Sequence, residues 1–152
     1  MRLWHKYMIR SLPDQQLRSQ WRECCAIAAR IAAKGTPDHI LVNRVLDYPA
    51  ESFVQYTEIV IKELSERGVK IKKKTISTFM NNIEKGRDSF NNGFVDTREC
   101  KLFLGWHDKV YLRECLYNLE EKYICGGISG RDWNRIYHLF GAVDLFIRDE
   151  DR

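Results

Sequence analysis

Hydrophobic residues recur every three or four positions in several separate segments of this chain, and that period is typical of α-helices. The longest apolar stripe consists of Leu17, Trp21, Cys24, Ala28 and Ile31. Pro13 precedes the stripe, where proline suits the first turn of a helix, and Gly35 follows it as a C-cap. We therefore predict a first amphipathic helix between Pro13 and Gly35, preceded by a short extended segment.

Shorter stripes predict the remaining helices. They cover a short segment from Thr36 to Leu46, a helix from Pro49 to Gly68, one through Phe79 that ends near Gly86, one from Trp106 to Tyr123, and a last one containing Trp133 and Phe140. Residues 86–99 are rich in turn formers and are predicted to form a long functional loop. Because no alternating strand pattern accompanies these helices, we predict a compact all-α fold, with residues 1–152 forming a single domain.

Composition narrows the class of protein only moderately. The 44% hydrophobic and 30% charged content is that of a globular protein. The 25 Lys and Arg residues against 21 Asp and Glu give a net charge of +4, which permits nucleic-acid binding without requiring it. No apolar run approaches membrane-spanning length, and residues 1–20 lack the apolar segment of a secretory signal. We expect a cytoplasmic monomer with no membrane partner.

The cysteines favour free thiols. There are five of them, an odd number, at Cys24, Cys25, Cys100, Cys115 and Cys125. The alternative is a metal site, since Cys100, His107, Cys115 and Cys125 lie in one segment. No pair, however, has the short C-x₂₋₄-C spacing of structural zinc sites. We predict neither a metal nor another cofactor.

Candidate chemistry is concentrated in residues 1–23. This stretch combines a terminal amine, the carboxylate of Glu23 and the guanidinium groups of Arg2 and Arg22. An amine that attacks an electrophilic carbon, beside a carboxylate that moves protons, suits Schiff-base chemistry on a polyanion. The alternative is an ordinary helix with a solvated charged face. The lysines within residues 70–74 are interpreted as a solvated cluster, with phosphate contacts as the less favoured alternative.

The sequence of the first helix resembles that of a known enzyme family. Leu12-Pro13-Asp14-Gln15-Gln16-Leu17, followed by Trp21-Arg22-Glu23, is similar to the first helix of the phage endonuclease V type pyrimidine-dimer DNA glycosylases. The opening Met1-Arg2-Leu3-Trp4-His5 resembles bacterial members of that family more closely. Weaker similarity continues through residues 53–71 and returns at His107, at Leu119-Glu120-Glu121-Lys122, and at Trp133 and Tyr137.

The resemblance implies a DNA repair glycosylase that also cleaves abasic sites and acts on damaged double-stranded DNA. It implies that the N-terminal α-amine forms a Schiff base at the sugar C1′, that Glu23 is the catalytic carboxylate, and that β-elimination then cleaves the strand. DNA contacts are expected from Arg2, Gln15, Arg18, Arg22 and Lys122, with His5 and Trp133 as supporting residues.

Two departures from the family pattern shape these expectations. Arg2 is bulky, and a bulky second residue normally blocks removal of the initiator methionine, so the expected nucleophile is the amine of Met1 itself. Cations of the phage enzyme are missing at Ala26 and Asn118, which leaves the lesion undetermined. A lysine nucleophile (Lys6 or Lys122), a noncatalytic DNA-binding module and a lyase acting on another damaged base remain alternatives.

Overall fold

The computed structural model describes residues 1–142, which contain helices and no strand, so the predicted all-α fold is confirmed. The α-helices are α1 (Asp14–Lys34), α2 (Ala50–Glu66), α3 (Lys73–Lys85), α4 (Lys109–Ile124) and α5 (Gly130–Phe140). Short 3-10 helices occupy Lys6–Ser11, Asn43–Asp47, Arg87–Ser89 and Glu99–Lys101. The acidic C-terminal end of the sequence lies outside the described residues.

Helix α1 is the centre of the packing. It contacts both α2 and α3, while α4 pairs with α5. The predicted stripe of α1 is buried, and the Trp21 ring packs against Phe79 of α3 at 5.8 Å between centroids. Phe79 in turn meets Phe53 of α2 edge-on at 5.6 Å. Burial of these large aromatic surfaces stabilises the three-helix contact, because each ring removes a wide apolar area from water.

Three predicted boundaries differ from the structure. The segment predicted as helical from Thr36 to Leu46 is helical only at its end, in the 3-10 helix Asn43–Asp47. The lead before α1 is not simply extended, because Lys6–Ser11 forms a 3-10 helix that packs on α2. Helix α4 begins at Lys109 rather than at Trp106, since the Asp108 side chain accepts a hydrogen bond from the Tyr111 amide and caps the first turn. Trp106 is instead buried in the segment before the helix, where its ring stacks on Tyr48.

Arg67, the residue that follows α2, ties the start of α1 to the rest of the fold. Its guanidinium donates to the carbonyls of Leu12 and Arg10 at 2.7 and 3.1 Å. It also pairs with Asp14 at 2.9 Å and with Glu63 at 2.8 Å. A single planar guanidinium can make these bonds together because its donors point in fixed, separate directions. The N-terminal segment thus enters α1 along a defined path.

Helix α3 ends against α1 with no space for a side chain. A Cβ built on Gly86 would lie 2.6 Å from Ile31 Cγ2 and 3.2 Å from the Ala32 amide nitrogen. The φ of Gly86 is −94°, so the backbone itself would accept any residue. The glycine is therefore required by the close approach of the two helices and not by its conformational freedom.

We expect Gly86→Ala to lower the free energy of unfolding by about 1–3 kcal/mol, the usual cost of overpacking a well-packed contact. Urea unfolding followed by circular dichroism measures the change. Lys85→Ala, at the exposed last residue of α3, is the matched control and should shift stability by less than about 0.5 kcal/mol. A Gly86→Ala protein as stable as the parent chain would contradict the tight contact.

Candidate functional site

The N-terminal segment is bound to α1 by two polar side chains that lie one helical turn apart. Gln20 Oε1 accepts from the Trp4 amide at 2.8 Å, and Gln20 Nε2 donates to the Arg2 carbonyl at 2.9 Å. Glu23 Oε2 accepts from the Arg2 amide at 3.1 Å. Residues three apart share a helix face, so both side chains reach the same extended backbone.

Two tyrosines from other helices complete this attachment. Tyr111 of α4 donates its hydroxyl to the Leu3 carbonyl at 2.6 Å. The Tyr56 hydroxyl of α2 lies 2.7 Å from the Trp4 carbonyl and 3.0 Å from Gln20 Oε1. Burial raises the pKa of both hydroxyls, so they remain protonated donors at neutral pH. Three helices therefore fix the path of residues 2–4.

The terminus emerges from this attachment into an open pocket of about 250 Å³, which we call the amine pocket. Its lining consists of Met1, Arg2, Trp4, Glu23, Leu41, Asn118 and Lys122. The α-amine is three bonds from the Arg2 amide nitrogen and so lies about 3–4 Å from it. With the 3.1 Å bond from that nitrogen to Glu23, the α-amine lies within about 7 Å of the carboxylate.

Two cations share the amine pocket with Glu23. Arg2 lies over the rings of Trp4 and Tyr111, with its guanidinium carbon 5.8 and 6.0 Å from their centroids. Lys122, near the C-terminal end of α4, is exposed. The pocket thus combines an amine, a carboxylate and two positive side chains, a set suited to attack on an electrophilic carbon of an anionic molecule.

A layer of neutral histidines lies beneath the N-terminal segment. His107 Nδ1 accepts from the Lys6 amide at 3.0 Å, and His5 Nε2 lies 2.9 Å from the His107 carbonyl. His5 Nδ1 accepts from the Tyr7 amide at 3.2 Å, which makes Nε2 the donor of that ring. Burial lowers the pKa of His5 to about 4 and that of His107 well below its usual value. His5 therefore has a structural role: its ring links the N-terminal segment to the backbone of His107.

Lys6 does not enter the amine pocket. Its side chain is buried, and its Nζ donates to the carbonyls of Leu102 and Cys100 at 2.7 and 3.1 Å. Burial lowers the pKa of this amine, but the two carbonyls hold it against residues 100–102. Of the two lysines considered as nucleophiles, only Lys122 lines the amine pocket.

Two of the arginines expected to contact DNA, Arg18 and Arg22, lie at a second pocket, of about 240 Å³, which we call the basic pocket. Arg18 and Arg22 line it together with Lys70 and Lys72. Trp21, Leu64, Val69, Ile71 and Thr75 complete the lining. Arg22 is therefore separated from its sequence neighbour Glu23, because consecutive helical residues diverge by about 100° around the axis. The basic pocket collects four cations around a partly apolar floor.

Two further predicted residues, like His5, lie outside both pockets. Gln15 is exposed in the first turn of α1 and lines neither of them. Trp133 is buried in α5, where it stacks on Tyr123 at 5.7 Å. No residue of the predicted functional loop 86–99 lines the amine or the basic pocket; Arg87 instead pairs with Glu51 and Glu84.

Sequence reasoning missed Gln20, Tyr56 and Tyr111. One feature of the sequence indicated that Gln20 is buried. It is a polar residue on the same side of α1 as the apolar residues Leu17, Trp21 and Cys24. A long polar side chain at such a position needs an internal partner. The tyrosines had no such indication, because each fits an apolar stripe and its hydroxyl partner lies far away in sequence.

The proposed alternative of a metal site has no geometric counterpart. In residues 1–142, no group of three or more His, Cys, Asp or Glu side chains is placed to hold a metal ion. Cys100 and Cys125 are exposed and Cys115 is buried, and all five cysteines are free thiols. Within the same residues, no helix has both the length and the apolar character required to cross a membrane.

Comparison with known proteins gives one match. A family model described as pyrimidine dimer DNA glycosylase matches residues 1–77, which is about half of the chain. The match covers α1, α2, the N-terminal segment and Glu23. No curated protein matches the sequence, and no solved structure matches it.

The buried histidines predict that stability falls on mild acidification. Both are neutral in the folded chain, whereas an unfolded histidine takes up a proton near pH 6.5, so the unfolded state binds more protons as the pH falls from about 6.5 towards 4. We expect the urea midpoint to be constant above about pH 7 and to decrease steadily down to pH 5.

Substitution of single histidines tests which of them causes the fall in stability between pH 7 and pH 5. His5→Gln should flatten the pH dependence between 7 and 5, while His138→Gln, at an exposed position of α5, should leave it unchanged. Equal slopes for the parent and the His5→Gln protein would show that His5 is not a source of the acid sensitivity.

Proposed function

This chain belongs to the pyrimidine dimer DNA glycosylase family, and from that membership we propose that it removes UV-type or similar base damage from double-stranded DNA and then cleaves the abasic strand. The family's activity is that of a DNA repair glycosylase. The observation that carries the finer proposal is the attachment of the N-terminus beside Glu23 by Gln20, Tyr56 and Tyr111. That attachment holds an amine near a carboxylate in an accessible pocket.

The proposed nucleophile is the α-amine of Met1. Its nitrogen forms a bond to C1′ as the glycosidic bond breaks and the base leaves with the electron pair and a proton. Opening of the sugar ring then gives an imine. An ordinary α-amine titrates near pH 7.7–8.0 and a lysine near 10.4, so an α-amine supplies far more of the unprotonated form at neutral pH. Lys6, the buried lysine, is engaged by backbone carbonyls.

Glu23 is the proposed catalytic carboxylate. As the glycosidic bond breaks, positive charge develops on the sugar, and a carboxylate stabilises that charge. In the second step a base removes a C2′ proton of the imine, the C3′–O bond breaks, and the phosphate leaves, which cleaves the strand. Water then hydrolyses the imine and frees the amine. Glu23 also fixes the Arg2 amide, so one side chain both places the terminus and acts on the sugar.

Two cationic surfaces would hold the DNA. Arg2 and Lys122 line the amine pocket and suit the phosphates next to the reacting sugar. Arg18 and Arg22, with Lys70 and Lys72, line the basic pocket and suit phosphates farther along the duplex. Two lysines of the cluster at residues 70–74, Lys70 and Lys72, thus join the proposed DNA surface.

The first test concerns the terminus. Acetylation or extension of the N-terminus should abolish borohydride trapping of the protein on abasic-site DNA, because an acylated nitrogen has no available lone pair. A C-terminal tag is the control and should leave trapping intact. Peptide mass spectrometry should place the adduct on Met1. An adduct on Lys122, or full trapping by the blocked protein, would overturn the proposed nucleophile.

The second test concerns the carboxylate. Glu23→Gln keeps an oxygen that accepts from the Arg2 amide and removes the negative charge. We expect damaged-DNA binding to change little and strand cleavage to drop about 10²–10⁴-fold, the usual contribution of such a group. Glu66→Gln, at the exposed end of α2, is the control.

The same cleavage assay on the parent chain separates the proposal from its rivals. A noncatalytic DNA-binding module would bind damaged DNA without cleaving it before any substitution is made. Cleavage of abasic DNA but not of UV-irradiated DNA by the parent chain would identify a lyase that acts on another lesion. Cleavage by Glu23→Gln at the parent rate would remove Glu23 from the mechanism.

A further inference from the structure

Two adjacent aliphatic residues, the second of which lines the amine pocket, project from the protein. Ile40 is 85% exposed and Leu41 is 45% exposed. Leu41 lines the pocket beside Met1 and Glu23. Adjacent exposed aliphatic side chains at a functional opening differ from scattered surface apolar residues, because whatever enters the pocket must pass beside them.

Ile40 and Leu41 lie in a turn formed by residues 39–43, which we call the tip and which is fixed by its own hydrogen bonds. The His39 carbonyl accepts from the amides of Val42 and Asn43 at 3.0 and 2.9 Å, and Asn43 Oδ1 accepts from the His39 amide at 3.0 Å. His39 Nδ1 accepts from the Leu41 amide at 3.3 Å. Val42, the next residue, is completely buried. The two side chains are therefore exposed by a defined turn anchored in the core.

The surroundings of this tip favour a nucleic acid over an apolar partner. Arg2 and Lys122 line the same pocket as Leu41, so that two cations accompany the one carboxylate of the lining, Glu23. Arg44, just beyond the tip, donates to the Gly105 carbonyl at 3.1 Å. Phosphates drawn to these cations would bring a base stack against the aliphatic pair.

We propose that Ile40 and Leu41 form an apolar wedge that enters the base stack of the duplex beside the lesion. The inference rests on the proposed function. The base stack at the lesion must open for a sugar C1′ to reach Met1, and aliphatic side chains inserted at that base step replace part of the stacking surface that is lost. Isoleucine suits this role because its branched side chain has few rotamers to lose on insertion.

The wedge predicts that Ile40 matters only where a stack must be opened. Borohydride trapping is measured on two DNA substrates, an abasic site in a fully paired duplex and the same site within an unpaired bulge. Ile40→Ser should lower the trapping rate on the paired duplex about tenfold or more and leave the rate on the bulge nearly unchanged. Ile40→Leu should restore the paired-duplex rate, since it keeps an aliphatic side chain.

The matched control is Phe94→Ser. Phe94 is 93% exposed and lines neither pocket, so its loss should affect neither substrate. A fluorescent base analogue placed opposite the abasic site gives a second readout. Its emission should rise on binding of the parent chain, as the stack opens, and rise less with Ile40→Ser.

Each remaining outcome has a distinct meaning. If the parent chain traps neither substrate, the proposed function fails and the wedge fails with it. If the parent chain traps both and Ile40→Ser slows both equally, or neither, the wedge alone is overturned. A change in sedimentation on Ile40→Ser, with unchanged trapping, would identify the tip as a contact between copies of this chain and would also overturn the wedge.

Discussion

The attachment of residues 2–4 to α1 is the interaction on which the rest of the site depends. A free terminus normally frays, because nothing offsets the entropy of ordering it. Here the backbone of these residues is hydrogen-bonded by Gln20, Glu23, Tyr56 and Tyr111. The bonds from the Trp4 backbone to Gln20 and Tyr56 are buried, where an unmade bond would leave a costly unsatisfied group. The segment is therefore held to one path, and the α-amine is held near Glu23.

Ionisation in this region is governed by burial. His5 and His107 are kept neutral, and the hydroxyls of Tyr56 and Tyr111 are kept protonated, by the same exclusion of water. The layer beneath the terminus therefore supplies hydrogen bonds without adding charge. The charges of the amine pocket lie instead on Arg2, Glu23 and Lys122, at the edge where DNA would arrive. Of the side chains that hold residues 2–4, Glu23 is the one that both binds this backbone and lines the amine pocket with the two cations.

Different faces of helix α1 contribute to the core, to the binding of the N-terminal segment and to the basic pocket. Its apolar side packs on α2 and α3, Gln20 and Glu23 bind the N-terminal segment, and Arg18 and Arg22 line the basic pocket. A rotation of about 100° per residue places Arg22 and Glu23, adjacent in sequence, in different pockets. Arg22 and Glu23 therefore do not form an ion pair with each other; each belongs to a different pocket.

The sequence by itself determined the helical class, the extent of α1 and the family, because hydrophobic periodicity and the motif from Leu12 to Glu23 are local properties. It also placed Met1, Arg2, Glu23 and Lys122 among the candidates, and the structure brings these four to one pocket. Their catalytic and DNA-binding roles stay predictions.

Only the tertiary structure decided how the terminus is held and what surrounds it. Tyr111 lies 108 residues from Leu3 and Tyr56 lies 52 residues from Trp4, so no local pattern links them. It likewise decided that Arg22 lines the basic pocket and not the amine pocket, that Lys6 is buried, and that Leu41 lines the amine pocket with Ile40 exposed next to it in the chain. The reason is physical. Periodicity reports which face of a helix avoids water, whereas the partner of a polar or exposed side chain depends on how distant helices pack against one another.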